Sequence, residues 1–193
     1  MKYLIRLFIL LISTTLSLSC NAENKEDKNV GVVNGLVKKL VLPDTRLDDL
    51  KVSMIVQGDF NGDGFDDFAA IFLPDSDIKK SNRLKVKELW NYSESATSGK
   101  AHKSIVIFHG SKSGWLSDST KVFVLLDKSG ALETPSFELL VSRTGDKEYK
   151  DNISYLPVVL KSDLLILPTE ASIDTYIYWD KGSYKLFEPD EIP

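Results

Sequence analysis

Oxygen-bearing side chains recur at alternate positions in residues 59–67, which read DFNGDGFDD. Hard cations such as Ca2+ take about six to eight oxygen ligands, and a tight loop can supply them only from alternate positions. Gly64 falls at the sixth position of the loop, where the backbone must turn sharply and φ is expected to be positive. The sequence therefore predicts a calcium site whose ligands are four side chains and one main-chain carbonyl, those of Asp59, Asn61, Asp63 and Asp67 and that of Phe65.

An ordinary polar turn is the alternative for this stretch, because Asp, Asn and Gly also dominate turns that hold no metal. The four carboxylates in residues 59–67 would repel one another without a cation, which favours the metal. With three ligand carboxylates and one amide we expect a modest affinity, roughly 10⁻⁴ M or somewhat tighter, as in extracellular modules. We expect such a loop to hold a fold together rather than to catalyse a reaction.

The segments on both sides of the loop are predicted strands, 51–57 before it and 68–73 after it. Both are rich in apolar residues of the kind that strands favour. Ala70 stands at the twelfth loop position, where a helix-loop-helix calcium site carries a bidentate Glu. The loop is therefore expected to join two strands and not two helices.

Residues 58–69, GDFNGDGFDDFA, resemble the calcium loop of FG-GAP (VCBS-type) repeats, which build the blades of integrin-like propellers. Residues 105–114, IVIFHGSKSG, resemble the second half of such a unit, in which a strand ends in a small-residue turn. Residues 176–186 resemble the last hairpin of small bacterial proteins that carry one such loop and have no established activity. The resemblance implies a blade-like β unit with bound calcium. Propellers need about four or more blades and the sequence has a single loop, so a complete propeller is not expected.

Residues 1–19 are predicted to be a secretory leader rather than part of the fold. Lys2 and Arg6 form a short basic region, and an apolar stretch follows that is too short for a membrane span. Residues 20–35 are polar at first and then small, which indicates a flexible tether. The remaining length suits one domain, which we place at 36–193.

Cys20 is the single cysteine of the chain, and residues 16–19 before it resemble a bacterial lipoprotein processing box. A lone cysteine at this place is predicted to be acylated, and it cannot form an internal disulfide. In lipoproteins of this kind Asn at the next position, here Asn21, implies transfer to the outer membrane. The protein is therefore expected in the cell envelope, anchored to the outer membrane by lipid and facing the periplasm.

The charge of the chain argues against nucleic acid as a partner. The whole sequence has a net charge of −4, and the leader carries two of its 24 basic residues and none of its 28 acidic ones. Without the leader the net charge is therefore −6. Binding to phosphate needs clustered Lys and Arg, which an acidic chain of this kind does not favour.

Short runs rich in Val, Ile, Tyr and Phe, bounded by Gly, Asp, Ser or Pro, follow the loop and predict strands. Short turns between such runs, as at 180–183, favour antiparallel pairing. The expected fold is mainly β, a single domain built as an antiparallel sheet or sandwich with one or two short helices. Residues 36–42 fit either a strand or a helical turn, and a partial helix is predicted near 80–92. The strand predictions after the loop hairpin cover 103–108, 121–126, 137–141, 154–161, 164–167, 173–179 and 184–187.

A long polar segment, 74–101, separates two of the predicted strands, and functional loops often belong to this class. It carries Trp90 and Tyr92, which would form an interaction surface if exposed, since aromatic residues dominate interface hot spots. The alternative is a flap whose two aromatic rings pack on the sheet.

The sequence shows no catalytic constellation. Its two histidines, His102 and His109, lie at opposite ends of one predicted strand and on its opposite faces, and His109 beside Gly110 suits a turn. Glu170 is an isolated acid among apolar neighbours. We expect a non-enzymatic binding or scaffolding module whose partner is an envelope protein or a glycan. The alternative is a small envelope enzyme or enzyme inhibitor acting through 74–101.

Overall fold

Two sheets, each covered on its outer face, make up the fold. The structure, a computed structural model, describes residues 29–44, 46, 49–74, 78, 82–90, 102–115, 119–127, 130, 132, 138–154, 156–168 and 174–189. Within these residues lie nine strands and two helices. The prediction of a single, mainly β domain that is not a propeller is confirmed for this part of the chain.

The first sheet, sheet A, consists of β1 Lys51–Gly58, β2 Asp67–Leu73, β3 Leu84–Glu88, β4 Ser104–Phe108 and β5 Val122–Leu126. Its strands lie in the order β1-β2-β4-β5-β3. All neighbours are antiparallel except β3 and β5, which run in parallel. The strand predicted before the loop and the strand predicted after it are thus paired as a hairpin.

The second sheet, sheet B, consists of β6 Leu140–Ser142, β7 Leu164–Leu167, β8 Thr175–Asp180 and β9 Ser183–Phe187. Its strands lie in sequence order and every pair is antiparallel. The predicted compact turn between β8 and β9 is confirmed. Its central residues, Lys181 and Gly182, have φ values of 47° and 85°, as in the hairpin turns that match the twist of two strands.

The main core lies between the two sheets. Side chains of a strand alternate between its two faces, so Ala69 and Ile71 of β2 join this core while Phe68 and Phe72 point to the other side of sheet A. Burial of such apolar surface is the dominant stabilising contribution to the fold. The other members of the core from the strands are Ile105, Ile107, Phe123, Leu125, Leu165, Leu167, Ile177 and Tyr184.

Helix α1, residues 29–40, covers the outer face of sheet A. Its residues Val33, Leu36 and Val37 are fully buried in one cluster with Phe72 and Phe108 of the sheet. Strand β2 is therefore buried on both faces, which explains why it is an uninterrupted apolar run and not an alternating one.

Helix α2, Tyr149–Ser154, and the irregular segment that follows it cover the outer face of sheet B. Tyr149, Leu156 and Leu160 pack there in one cluster with Ile166 and Tyr176. The layers of the molecule are thus helix, sheet A, sheet B, and a mixed cover of helix and irregular chain.

The edges of the two sheets meet at both sides of the molecule. At one side β1 lies beside β6. At the other, Lys85 and Lys87 of β3 reach to β9, where their ammonium groups donate to the carbonyl oxygens of Gly182 (3.4 Å) and Tyr184 (3.1 Å). Burial, with the charge of Lys185 nearby, lowers the pKa of Lys87. These contacts engage sheet edges that would otherwise be free to pair with other chains.

The predicted strand over 154–161 is wrong. In the described residues α2 ends at Ser154, and 156–160 has no regular structure. Leu156 and Leu160 are buried because they cover sheet B, and a run of apolar residues does not distinguish a covering segment from a strand.

The predicted partial helix near 80–92 is also wrong, since the chain forms strand β3 there. Residues 84–88 read LKVKE, an alternation of apolar and charged side chains with the period of a strand. β3 lies at the edge of sheet A, so most of its residues are exposed.

The folded part of the chain begins before residue 36. Residues 29–35, predicted as part of a tether over 20–35, are helical and belong to α1. The sequence allowed either a strand or a helical turn over 36–42, and the structure shows a helix up to residue 40. Residues 20–28 lie outside the described residues. In the part of the chain that the structure describes, no helix is long and apolar enough to cross a bilayer.

Val33→Ala is expected to lower the free energy of unfolding by about 2 kcal/mol, because it removes two buried methyl groups and leaves a space under α1. Val30→Ala serves as the control, since Val30 is 39% exposed on the same helix, and its effect should stay within about 0.5 kcal/mol. Urea denaturation measures both. If the two variants matched wild type, residues 29–35 would be a tether after all.

Candidate functional site

The loop of residues 59–67 closes the β1–β2 hairpin, in which Gly58 lies opposite Asp67. Gly62 and Gly64 have φ values of 75° and 85°, a left-handed conformation that glycine adopts at no steric cost. The prediction of positive φ at Gly64 is confirmed. The two glycines let the chain turn back on itself within a few residues.

Asp59 organises the first half of the loop. Its Oδ1 accepts the main-chain N–H groups of Gly62 (2.8 Å) and Asp63 (3.1 Å), and its Oδ2 accepts that of Gly64 (2.9 Å). A carboxylate that accepts several N–H groups draws them around a single point. The first predicted ligand therefore lies at the centre of the turn.

Asn61 and Asp63 repeat one local pattern. The Oδ1 of Asn61 accepts the N–H of Asp63 (2.8 Å), and the Oδ1 of Asp63 accepts the N–H of Phe65 (3.0 Å). Bonds from a side chain to the main chain two residues on are typical of Asp and Asn in turns. The side chain of Phe65, whose carbonyl is the predicted main-chain ligand, is 40% exposed.

Asp67, the last predicted ligand, is fully buried at the start of β2. Its Oδ2 accepts the N–H of Phe60 (3.0 Å) and its Oδ1 accepts the N–H of Gly110 (2.8 Å). Burial raises the pKa of this carboxyl to about 8, and the charges of Asp63 and Asp59 act in the same direction, against the two N–H groups. Asp67 thus ties the loop to the chain that leaves β4.

The loop fits a hard cation by the chemistry of its donors, because the oxygens of Asp59, Asn61, Asp63 and Asp67 are the kind that Ca2+ prefers. Each carboxylate offers about four lone-pair positions, so an oxygen that accepts an N–H group can still contact an ion. In the described residues no three His, Cys, Asp or Glu side chains are gathered around one point as a metal site. The loop oxygens instead face the N–H groups of the chain itself.

Asp163 is a part of the site that the sequence did not indicate. Its Oδ2 accepts the N–H of Asp59 (3.0 Å), and its own N–H donates to the carbonyl oxygen of Asp59 (2.8 Å). Its Oδ1 accepts the N–H of Thr144 (2.9 Å). An acid 104 residues from the loop has no local signal that could have revealed it.

Arg143 adds a second connection between the loop and sheet B. Its Nη2 donates to the carbonyl oxygen of Gln57 at the end of β1 (2.7 Å), and its Nη1 lies 3.9 Å from Oδ2 of Asp163. The Arg143 side chain is half exposed, so the ion pair itself contributes little. The bond to the main chain of β1 is the more useful contact, because it joins two sheets.

The chain after β4 passes very close to the loop. A Cβ on Gly110 would lie 2.1 Å from the carbonyl oxygen of Asp66, a distance that leaves no space for any side chain. The same carbonyl accepts the indole N–H of Trp115 (2.8 Å). Gly110 is therefore required by close approach of two main-chain segments.

His109, predicted to be a turn residue, directly follows β4 and is buried. Its Nε2 lies 2.9 Å from the hydroxyl oxygen of Tyr184, and its ring packs against those of Phe123 and Trp179. Burial lowers the pKa of His109 to about 4 and raises that of Tyr184 well above its ordinary value. The imidazole is a neutral member of the core and does not open to solvent.

Trp90, part of the predicted interaction surface, is partly buried and packs against the main core. Its indole N–H donates to the carboxylate of Glu188. Tyr92 lies outside the described residues, as do Glu170 and Cys20. The sequence left two roles open for Trp90, in an interaction surface or as a ring that packs on the sheet. Its contact with the main core is of the second kind.

No protein-family model, curated protein or solved structure matches this chain.

Gly110→Ala is expected to lower the free energy of unfolding by about 3 kcal/mol or more, because the added Cβ collides with main chain that cannot move aside. At Gly145 a Cβ would meet nothing within 4 Å, so Gly145→Ala should change stability by no more than about 0.5 kcal/mol. Chemical denaturation compares the two. Equal stability of both variants would contradict the close approach of Gly110 to Asp66.

His109→Gln is expected to flatten the acid limb of the stability profile. In the unfolded chain the imidazole takes up a proton near its ordinary pKa of 6.5, whereas in the folded protein its pKa is about 4. The unfolded state then binds more protons, so the contribution of His109 is complete above pH 6.5 and is lost as the pH falls to 4. The loss amounts to about 3 kcal/mol.

Urea denaturation of wild type and His109→Gln at intervals over this pH range, in a chelator, measures the effect. Glutamine offers Tyr184 a hydrogen-bond partner that does not titrate, and Asp67 is present in both proteins. Parallel profiles would show that His109 is not buried in its neutral form.

Proposed function

We propose that this protein is a lipid-anchored envelope module whose β1–β2 loop binds one calcium ion and thereby holds its two sheets in place. The observation that carries the proposal is the position of the loop. Asp67 bonds to the chain after β4 in sheet A, while Asp59 bonds to Asp163, which directly precedes β7 in sheet B. A loop so placed can stabilise the whole domain and not only its own hairpin.

The charge of the loop supports the need for a cation. Asp59, Asp63, Asp66 and Asp67 lie within nine residues, and Asp163 brings a further buried carboxylate to the main chain of Asp59. Acids this close repel one another, most strongly where water is excluded. Among the described contacts, the half-exposed Arg143 lies 3.9 Å from the carboxylate of Asp163.

A bound Ca2+ would supply positive charge and a point of coordination for the oxygens of Asp59, Asn61, Asp63, Asp67 and the carbonyl of Phe65. The chain itself supplies the shape. Gly62 and Gly64 allow the turn, and the N–H groups that Asp59 accepts hold its carboxylate at the centre. We therefore assign this arrangement a structural role and not a catalytic one.

The predicted anchor supports a role at the membrane. Only a short stretch separates Cys20 from residue 29, where α1 is present, and nine residues reach at most about 30 Å. A domain held this close to a bilayer would lie among envelope proteins and glycans. A binding or scaffolding role towards such a partner is the function we propose for it. The alternative is a small envelope enzyme or enzyme inhibitor acting through 74–101. His109 gives an enzyme no support, because it is buried and engaged with Tyr184.

Calcium is expected to raise the melting temperature of the wild-type protein by about 5–10 °C at about 10 mM, which is about a hundredfold above the expected dissociation constant. Asp63→Asn should lose part of this shift, because it removes the charge of a ligand but keeps an oxygen that can contact the ion. The amide keeps an oxygen that can accept the N–H of Phe65, so the variant removes a charge while the turn can persist. Thermal melts after chelation, with and without Ca2+, measure the effect.

Asp66→Asn is the matched control. Asp66 lies in the same loop and loses the same charge, but its carboxylate accepts the side-chain amide of Gln57 (2.8 Å) and is not a predicted ligand. It should keep most of the calcium shift. An unchanged melting temperature in wild type would make the loop an ordinary turn and would overturn the calcium proposal.

Cys20→Ser is expected to move the protein from the membrane fraction to the soluble envelope fraction, because the acyl chains would have no sulfur to attach to. Fractionation and labelling with a fatty-acid analogue measure this. Retention of label on the serine variant would contradict the lipid anchor and leave the calcium proposal untouched.

A further inference from the structure

We propose that Asp163 transmits the occupancy of the loop to sheet B, so that a cation bound by Asp59 also orders the β6–β7 side of that sheet. The inference rests on the proposed calcium site. It adds a residue that is not a predicted ligand, and it assigns the loop a long-range effect within the domain.

Asp163 holds Asp59 at both of its main-chain groups. The Oδ2 of Asp163 accepts the N–H of Asp59, and the N–H of Asp163 donates to the carbonyl oxygen of Asp59. The side chain of Asp59 meanwhile points into the loop, where it accepts the N–H groups of Gly62 and Gly64. A shift of the Asp59 side chain would therefore act on Asp163 through the two hydrogen bonds to the main chain of Asp59.

Asp163 also connects two strands of sheet B, β6 and β7. It stands immediately before Leu164, the first residue of β7, and its Oδ1 accepts the N–H of Thr144, close after β6. Arg143 lies beside it and donates to the main chain of β1. One buried carboxylate thus joins the loop, the end of β6 and the start of β7.

The residues around the contact between Asp59 and Asp163 are closely packed. A Cβ on Gly58 would lie 2.8 Å from Oδ2 of Asp163 and 2.9 Å from the ring of Phe60, so the three groups are already in close contact. Phe60 in turn belongs to the main core. Because tightly packed groups shift together, a displacement of Asp59 is expected to move Asp163 rather than be absorbed between them.

The charges give the coupling its direction. Without a cation the carboxylates of Asp59 and Asp163 repel each other across this contact, which works against the meeting of β1 and β6. A cation at Asp59 offsets that repulsion. Filling the loop is therefore expected to stabilise β6 and β7 as well as the β1–β2 hairpin.

Amide hydrogen exchange by mass spectrometry on the full chain, with and without Ca2+, tests this inference. In wild type, Ca2+ should slow exchange at least about tenfold both in the loop and in β7. In Asp163→Asn the loop should still slow while β7 no longer responds, because the amide cannot accept from Asp59 and Thr144 with both of its terminal atoms. Asp163→Glu, which keeps the charge but moves the carboxylate, should lose the β7 response in the same way.

Asp151→Asn is the control, since it removes one acid from α2, on the sheet B side of the molecule, at an exposed position. It should keep both responses. Slowing confined to the loop in wild type, or a β7 response that persists in both Asp163 variants, would overturn the coupling while the calcium site stands. Absence of any response in the wild-type loop would overturn the calcium site and this inference with it.

Discussion

The contacts between the loop, the start of β2 and the chain after β4 all depend on one buried group, the carboxyl of Asp67. Burying a polar group such as this carboxyl costs free energy unless it is hydrogen-bonded, and here both oxygens accept main-chain N–H groups, from Phe60 and Gly110. Each of those groups must therefore reach the same point. Gly110 can do so only because it has no side chain, so the turn before β2 and the chain after β4 are determined together.

Directional contacts of this kind position the two sheets. The core between them is apolar, and apolar packing alone tolerates many arrangements of similar volume. At one side the main chain of Asp59 meets Asp163, and at the other Lys87 reaches the carbonyl of Tyr184. The sheets are thus joined at two edges by hydrogen bonds between named groups.

The sequence predicted the features whose causes are local. Residues 59–67 specify a turn by their own side chains, and the β8–β9 hairpin follows from two residues with positive φ. The alternation in β3 was also local, but it was masked by a helical spacing of apolar residues over a longer window. The start of helix α1 resembles a tether because residues 29–35, NVGVVNG, include two asparagines and two glycines, which are poor helix formers. Asp163 could not be predicted at all, since what defines its role is a contact with a residue far away in the chain.

The separation between Asp59 and Asp163 also has a consequence for the order of folding. The bonds within the loop join residues two to five positions apart, whereas the contact with Asp163 spans 104. Closing a long segment of chain costs more conformational entropy and takes longer than closing a short one. The loop hairpin can thus form as soon as it is synthesised, while the sandwich must wait for the second half of the chain. We expect the meeting of the two sheets, and not the formation of either turn, to limit the rate of folding.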